Sequence, residues 1–272
     1  MSYRTILLAV RSDGAAGSQM RAAAALAKRL GARLRAVHAS APAVMTVGYG
    51  EAPFADAAFY EAQRTAAAEN AERVEAAWRE ACGPDAAADL VTVEGEPAGV
   101  LAAAARTADL TLAAQEANDG SEIIGPAVID DLIVAAAGPV LMLPRAAPSP
   151  EGFRRVVVGW DGGRAASRAL KDALPFLHGA EQVTLVTFGE AEDAGLEDAV
   201  RLLAAHGIKA EALAVADGEG TSGERLLAIA ADRHADLLVM GGYGHSRLRE
   251  LVLGGTTRHV LRHAALPVLF SA

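Results

Sequence analysis

ADLLVMGGYGHSRLRELVLGGTTRHVLRHAALPVL, residues 235–269, is the stretch that decides how this chain is read. Residues 237–240 (LLVM) are a short, wholly apolar run, the mark of a parallel strand buried on both faces. The run ends on Gly241 and Gly242, with Gly244 close behind, and a basic turn carrying His245, Arg247 and Arg249 follows. Gly254, Gly255, Thr256 and Thr257 then open a second helix, which runs to His263 ahead of Pro267. Glycines let main-chain N–H groups approach a ligand closely. A helix N-terminus adds unpartnered N–H groups and the positive end of its dipole, both favourable to an anion. With arginines between the corners and hydroxyls at the second, the order makes a phosphate cradle. The plainer alternative is a glycine-rich strand-to-helix turn that packs tightly and binds nothing.

Working outward, the same kind of unit occurs twice. Ile6-Leu-Leu-Ala-Val10 matches Val156-Val-Val-Gly-Trp160, and Arg106-Thr-Ala-Asp-Leu110 matches Arg233-His-Ala-Asp-Leu237. Residues 31–37 match 179–186 with a small length adjustment, and Pro139-Val-Leu-Met-Leu143 matches Pro267-Val-Leu-Phe270. The order of the matches is kept, and a proline-rich stretch, 144–152, joins the copies. Within each copy, strands alternate with helices, the pattern of a parallel sheet covered on both faces. Strands are expected near 4–10, 33–38, 89–93, 109–113 and 139–143, then 154–159, 182–187, 210–215, 236–240 and 267–270. Helices are expected near 16–30, 57–81, 97–106 and 127–137, then 164–177, 193–206, 222–233 and 255–264. Residues 41–54 have no counterpart in the second copy and read as an insertion.

The copies are unequal where the cradle lies. Aligning Asp109 with Asp236 sets Ala114, Ala117 and Ala127 opposite Gly241, Gly244 and Gly254. Glu116, Asp119, Glu122, Asp130 and Asp131 occupy the region where the second copy has His245, Arg247, Arg249, Arg258 and His259. Methyls at the corners block main-chain approach and the carboxylates repel a polyphosphate, so only the second copy is expected to bind one.

Gly241-x2-Gly244-x9-Gly254 resembles the G-x2-G-x9-G-(Ser/Thr) signature of the universal stress protein family. One departure stands out: Gly255 occupies the Ser/Thr position, and the hydroxyls come at Thr256 and Thr257. The likeness covers both copies, hence nearly the whole chain. It implies a tandem α/β protein of two flavodoxin-like domains (of the adenine nucleotide alpha hydrolase-like type), each a five-stranded parallel sheet between helices. Residues 1–147 would be a degenerate domain without the nucleotide motif and residues 153–272 a domain with it. The resemblance also implies ATP or a related adenine nucleotide, with Mg²⁺, in the second domain. Asp161 matches an acidic residue that contacts adenosine in the family, and Thr187 a main-chain contact to adenine. Gly241, Gly244, His245, Arg247, Gly254, Gly255, Thr256 and Thr257 complete the implied ligand residues. Asp161 reads equally well as a turn aspartate capping the next helix. In relatives the final strands pair antiparallel across a two-fold axis. Residues 140–143 and 268–270 would then meet within one chain as a pseudo-dimer, removing two sheet edges; a homo-oligomer beyond that stays open.

Several other chemistries are excluded or set aside. Across 272 residues, 52% hydrophobic content and a net charge of −9 describe a mildly acidic globular chain without the basic footprint of a nucleic-acid binder. No apolar run nears the ~20 residues needed to cross a bilayer, and the cytoplasm is the expected location. Cys82 stands alone, which excludes a disulfide within the chain. Gly218-Glu-Gly-Thr-Ser-Gly223 has dinucleotide-fingerprint spacing but follows the third strand of its unit and is flanked by acid, so Thr221-x-x-Glu224 reads as a capping box instead. His259 and His263 share a helix face without a third metal ligand in sight. No catalytic set appears, so any chemistry is at most slow ATP hydrolysis. Two further readings stay open. One is a nucleotide-free stress or interaction module, favoured by Gly255 and the silent first copy. The other is an adenylyl-transfer or ATP-pyrophosphatase enzyme, disfavoured because neither a HIGH-type nor an SGGxDS-type sequence is present.

Overall fold

A computed structural model describes residues 2–10, 16–40, 57–83, 88–115, 128–144, 152–189, 195–216, 218–243 and 255–272. The expected insertion at 41–54 lies outside the described residues. In the first half the strands are β1 (Thr5–Val10), β2 (Arg33–Ser40), β3 (Ala88–Glu94), β4 (Leu110–Ala114) and β5 (Val140–Leu143). Its helices are α1 (Ala16–Leu30), α2 (Ala57–Cys82), α3 (Pro97–Ala105) and α4 (Val128–Ala135). The second half adds β6 (Arg155–Gly159), β7 (Gln182–Phe188), β8 (Glu211–Val215), β9 (Leu237–Gly241) and β10 (Val268–Ser271). Its helices are α5 (Arg164–Asp172), α6 (Leu174–Leu177), α7 (Leu196–Ala205), α8 (Ser222–Asp232) and α9 (Thr256–His263).

These strands form one sheet in the order β3-β2-β1-β4-β5-β10-β9-β6-β7-β8. Every pairing within a half is parallel. At the seam β10 runs antiparallel to β5, with Phe270 opposite Val140, Leu269 opposite Leu141 and Val268 opposite Met142. All six side chains are fully buried. Alternation along each strand sends its residues to opposite faces. Ile6, Leu8 and Val10 join a core under α1, α2, α5, α6 and α7, while Leu7 and Ala9 join a second core under α3, α4, α8 and α9. Each core runs across both halves, so burial on the two faces, and not only the seam, ties the halves together.

Local chemistry explains the element ends. Glu96 caps α3 by accepting the N–H groups of Ala98 and Gly99. Gly83, at φ 60°, ends α2 and returns its N–H to the carbonyl of Arg79. Cys82, at the end of α2, packs against the first core, the bland role expected of it. The helix expected over 164–177 is divided into α5 and α6: Pro175 has no N–H for the carbonyl a turn behind it.

The repeated Arg-x-Ala-Asp-Leu motif also has a physical reason. Asp109 Oδ2 accepts the N–H groups of Arg4 and Thr5, each at 2.8 Å, and the Thr5 hydroxyl. Asp236 does the same for Arg154 and Arg155 at 2.8 and 3.0 Å. In each copy a carboxylate before the fourth strand fixes the start of the first. Partial desolvation raises the Asp109 pKa, but the hydrogen bonds from Arg4 and Thr5 together outweigh it and hold the carboxyl below its ordinary value. A depressed carboxylate contributes stability above its unfolded-state pKa, and that contribution is lost as pH falls through the folded-state value. Asp109→Ala is therefore expected to cost about 1–2 kcal/mol at neutral pH, measured by urea unfolding. The gap to the parent protein should close as the pH is taken below about 4.

Candidate functional site

In the second half the chain leaves β6 through β7 and β8 on one side, then returns to β9 on the other. Ligands of open α/β sheets sit where strand order reverses in this way, outside the carboxyl ends of the strands. Here that point lies between the ends of β6 and β9. Asp161 is exposed on the loop leaving β6, and its Oδ1 accepts the Gly163 N–H at 2.8 Å. This is the turn-aspartate arrangement. Thr187 is buried near the end of β7, in register with Ala214.

At the end of β9 the glycines are occupied by neighbours. A Cβ on Gly241 would lie 2.7 Å from the Ala166 nitrogen and 2.8 Å from the Ala165 carbonyl carbon, so α5 sits directly on this residue. A Cβ on Gly242 would lie 2.5 Å from Ile133 Cγ2 on α4. The Gly242 N–H donates to the Ser271 carbonyl at 2.8 Å, and the Tyr243 N–H donates to Thr257 Oγ1 at 3.3 Å. Two main-chain donors beside Gly241 thus hold β10 and α9. Beside them, burial pushes the Asp172 carboxyl up in pKa while the hydrogen bond from Ser271 Oγ at 2.9 Å pulls it down.

The second corner is shaped differently. Gly255 is the N-cap of α9, at φ −60° and ψ 153°, and supplies no side-chain cap to the first-turn N–H groups. A glycine N-cap leaves that turn open to an outside acceptor. Thr256 begins the helix and is half-buried, whereas Thr257 is buried and has turned its hydroxyl to Tyr243. The structure therefore brings Gly241, Thr256, Thr257 and Gly255 to one end of the sheet, with Asp161 on the neighbouring loop. Gly244, His245, Arg247 and Gly254 lie outside the described residues.

The rival motifs resolve plainly. Thr221 caps α8 through the Glu224 N–H, and the Glu224 side chain returns to the Thr221 N–H, forming a full capping box. Gly223 is where α8 meets α9: a Cβ there would lie 3.0 Å from His259 Cβ. His259 and His263 stack at 4.2 Å, and His263 Nδ1 lies 2.8 Å from the His259 carbonyl oxygen. Among the described residues no group of three metal-ligating side chains forms, and no helix is long and apolar enough to cross a membrane.

Two residues that sequence reading passes over, Tyr243 and Gln115, join this end of the sheet. Tyr243 adopts a left-handed φ of 50°, a state costing about 1–3 kcal/mol unless its surroundings enforce it. Its hydroxyl donates to Oδ1 of Asp130 on α4. Gln115 follows β4 and donates from Nε2 to the carbonyls of Leu261 and Ala264, at 3.0 and 3.1 Å, at the far end of α9. The one signal for Gln115 was a polar residue directly after the apolar LTLAA strand.

Comparison with known proteins agrees with this architecture. The sequence model described as "Universal stress protein family" matches residues 2–144 and again 152–271. A universal stress protein of Synechocystis sp. is 32% identical over 134 residues, 44% of this chain and 44% of that protein. One of Methanocaldococcus jannaschii is 36% identical over 50 residues, 18% of this chain and 31% of its own. The chain thus spans less than half the length of these curated relatives. Among solved structures, a universal stress protein from Archaeoglobus fulgidus superposes with a TM-score of 0.75 at 18% identity, covering 98% of this chain and 95% of that one. A putative universal stress protein from Pseudomonas aeruginosa gives 0.55 at 16%, covering 99% and 93%. Likeness at these identities is likeness of fold.

The contact of α5 with Gly241 has a direct consequence. Gly241→Ala is expected to destabilise the ligand-free protein by about 1–3 kcal/mol, the cost of forcing a methyl into a packed helix contact. Urea unfolding without nucleotide measures it; a loss under about 0.5 kcal/mol would contradict the packing role.

Proposed function

The chain belongs to the universal stress protein family, and from that premise we propose that it is a stress-response protein binding ATP or a related adenine nucleotide, with Mg²⁺, in its C-terminal half. The observation that carries this reading is the open first turn of α9, capped only by Gly255 and held beside the end of β9 by the Tyr243–Thr257 hydrogen bond. Main-chain N–H groups and the helix dipole favour phosphate there. Gly244, Gly254 and Thr256 would add contacts to the phosphates and His245 and Arg247 positive charge, while Asp161 and the main chain at Thr187 would meet the adenosine portion. Residues 153–272 would form the binding domain and residues 1–147 a degenerate partner, the two standing as a pseudo-dimer within one chain. Mg²⁺ would arrive with the nucleotide, as the described residues offer it no cluster of their own. Any turnover would be slow hydrolysis at most.

A second reading, a nucleotide-free interaction module, is supported by a specific observation: the N–H groups of Gly242 and Tyr243 and the Thr257 hydroxyl already have internal partners. Calorimetry with ATP and Mg²⁺ separates the two. The nucleotide reading expects a single site per chain. Gly244→Glu is expected to weaken it by at least about tenfold and Gly255→Ser to tighten it severalfold, by restoring the family's hydroxyl at the corner. Absence of heat at millimolar nucleotide would leave the interaction module standing alone.

A further inference from the structure

We propose that Asp130 and Gln115, both in the half without a nucleotide motif, are positioning residues for the nucleotide site of the other half. The inference rests on the nucleotide reading for its ligand, and on contacts between the halves for its mechanism. Asp130 takes the hydrogen bond from the Tyr243 hydroxyl, and Ile133, one turn further along α4, backs Gly242 so closely that no Cβ fits between them. Tyr243 is thereby held in its left-handed conformation, with its N–H aimed at Thr257 in the first turn of α9. Gln115 grips the same helix at its other end through the Leu261 and Ala264 carbonyls. Such carbonyls have no partner within the helix, so a side-chain amide reaching two of them fixes where that end lies. The helix whose N-terminus would face phosphate is therefore tied at both ends: directly by Gln115, and by Asp130 acting through Tyr243 and Thr257. The degenerate half supplies the back wall of the working one.

The test uses the full chain, with ATP and Mg²⁺ as the probe, and reads affinity by calorimetry beside thermal unfolding. Asp130→Ala and Tyr243→Phe are each expected to weaken ATP by about five- to tenfold, within the range of ordinary coupling between sites. Because both remove the same bond, the double variant should lose no more than either alone. Asp130→Asn, which keeps an acceptor oxygen, should recover most of the loss. Gln115→Glu, which cannot donate to two carbonyls, should weaken ATP as well. Parent-like affinity in both Asp130→Ala and Tyr243→Phe would overturn the proposal, as would a loss in the double variant equal to the product of the single losses. If the parent protein itself binds no ATP, the nucleotide reading fails separately, and hydrogen exchange in the ligand-free protein then decides on the brace. Faster exchange of the Tyr243 amide in Tyr243→Phe supports the brace, and unchanged exchange rejects it.

Discussion

Three rungs of antiparallel pairing between β5 and β10 set the terms for the rest of the molecule. Each half alone would end in a strand with one unpaired edge, and such edges invite association with other chains. Joined here, they become the centre of a ten-stranded sheet whose six seam residues are fully buried. The antiparallel sense has a second effect. It turns the carboxyl ends of the two sets of parallel strands to opposite ends of the sheet, and it brings α4 of one half against the loop that leaves β9 of the other. The Ile133–Gly242 and Asp130–Tyr243 contacts follow from that geometry.

The seam also bears on the glycines at the end of β9. Gly241 and Gly242 are needed because helices press on them, α5 on the first and α4 on the second. The packing requirement is visible in the distances, and under the proposed function the ligand contacts would fall chiefly on the glycine-capped start of α9.

Much of this fold was legible in the sequence because its determinants are local. Apolar runs of four to six residues gave strand limits within a residue or two, the repeat gave the two halves, and Thr221-x-x-Glu224 gave a capping box that the structure contains. What was not legible depends on partners distant along the chain. Nothing near Tyr243 announces that its hydroxyl meets a carboxylate 113 residues away, nor does anything near Gln115 announce the end of α9, 146 residues on. Thr257 was assigned by its position to a ligand, yet its hydroxyl satisfies the Tyr243 N–H. A hydroxyl near a buried donor goes to that donor, because leaving the donor unpaired costs more than a hydrogen bond gains. The division of α5 from α6 was written locally in Pro175 and still missed, since the alanine-rich stretch before it and Phe176 and Leu177 after it keep the helical pattern going.

The inequality of the two copies takes on a different meaning at the seam. Read one copy at a time, acid in the first and base in the second mark a lost and a kept phosphate site. Across a two-fold arrangement, however, each copy's loop after its fourth strand faces the other copy's final helix. Asp130 therefore belongs to the surroundings of Tyr243 as much as to its own half. By the alignment of the repeat, the positions matching Tyr243 and Asp130 are Glu116 and Thr257. A two-fold arrangement sets one position of the first copy against a different position of the second and the reverse, so identical copies would repeat each contact, whereas divergent copies can keep it on one side alone. Tyr243 and Asp130 form a pair that Glu116 and Thr257, at the matching positions, do not repeat in residue type.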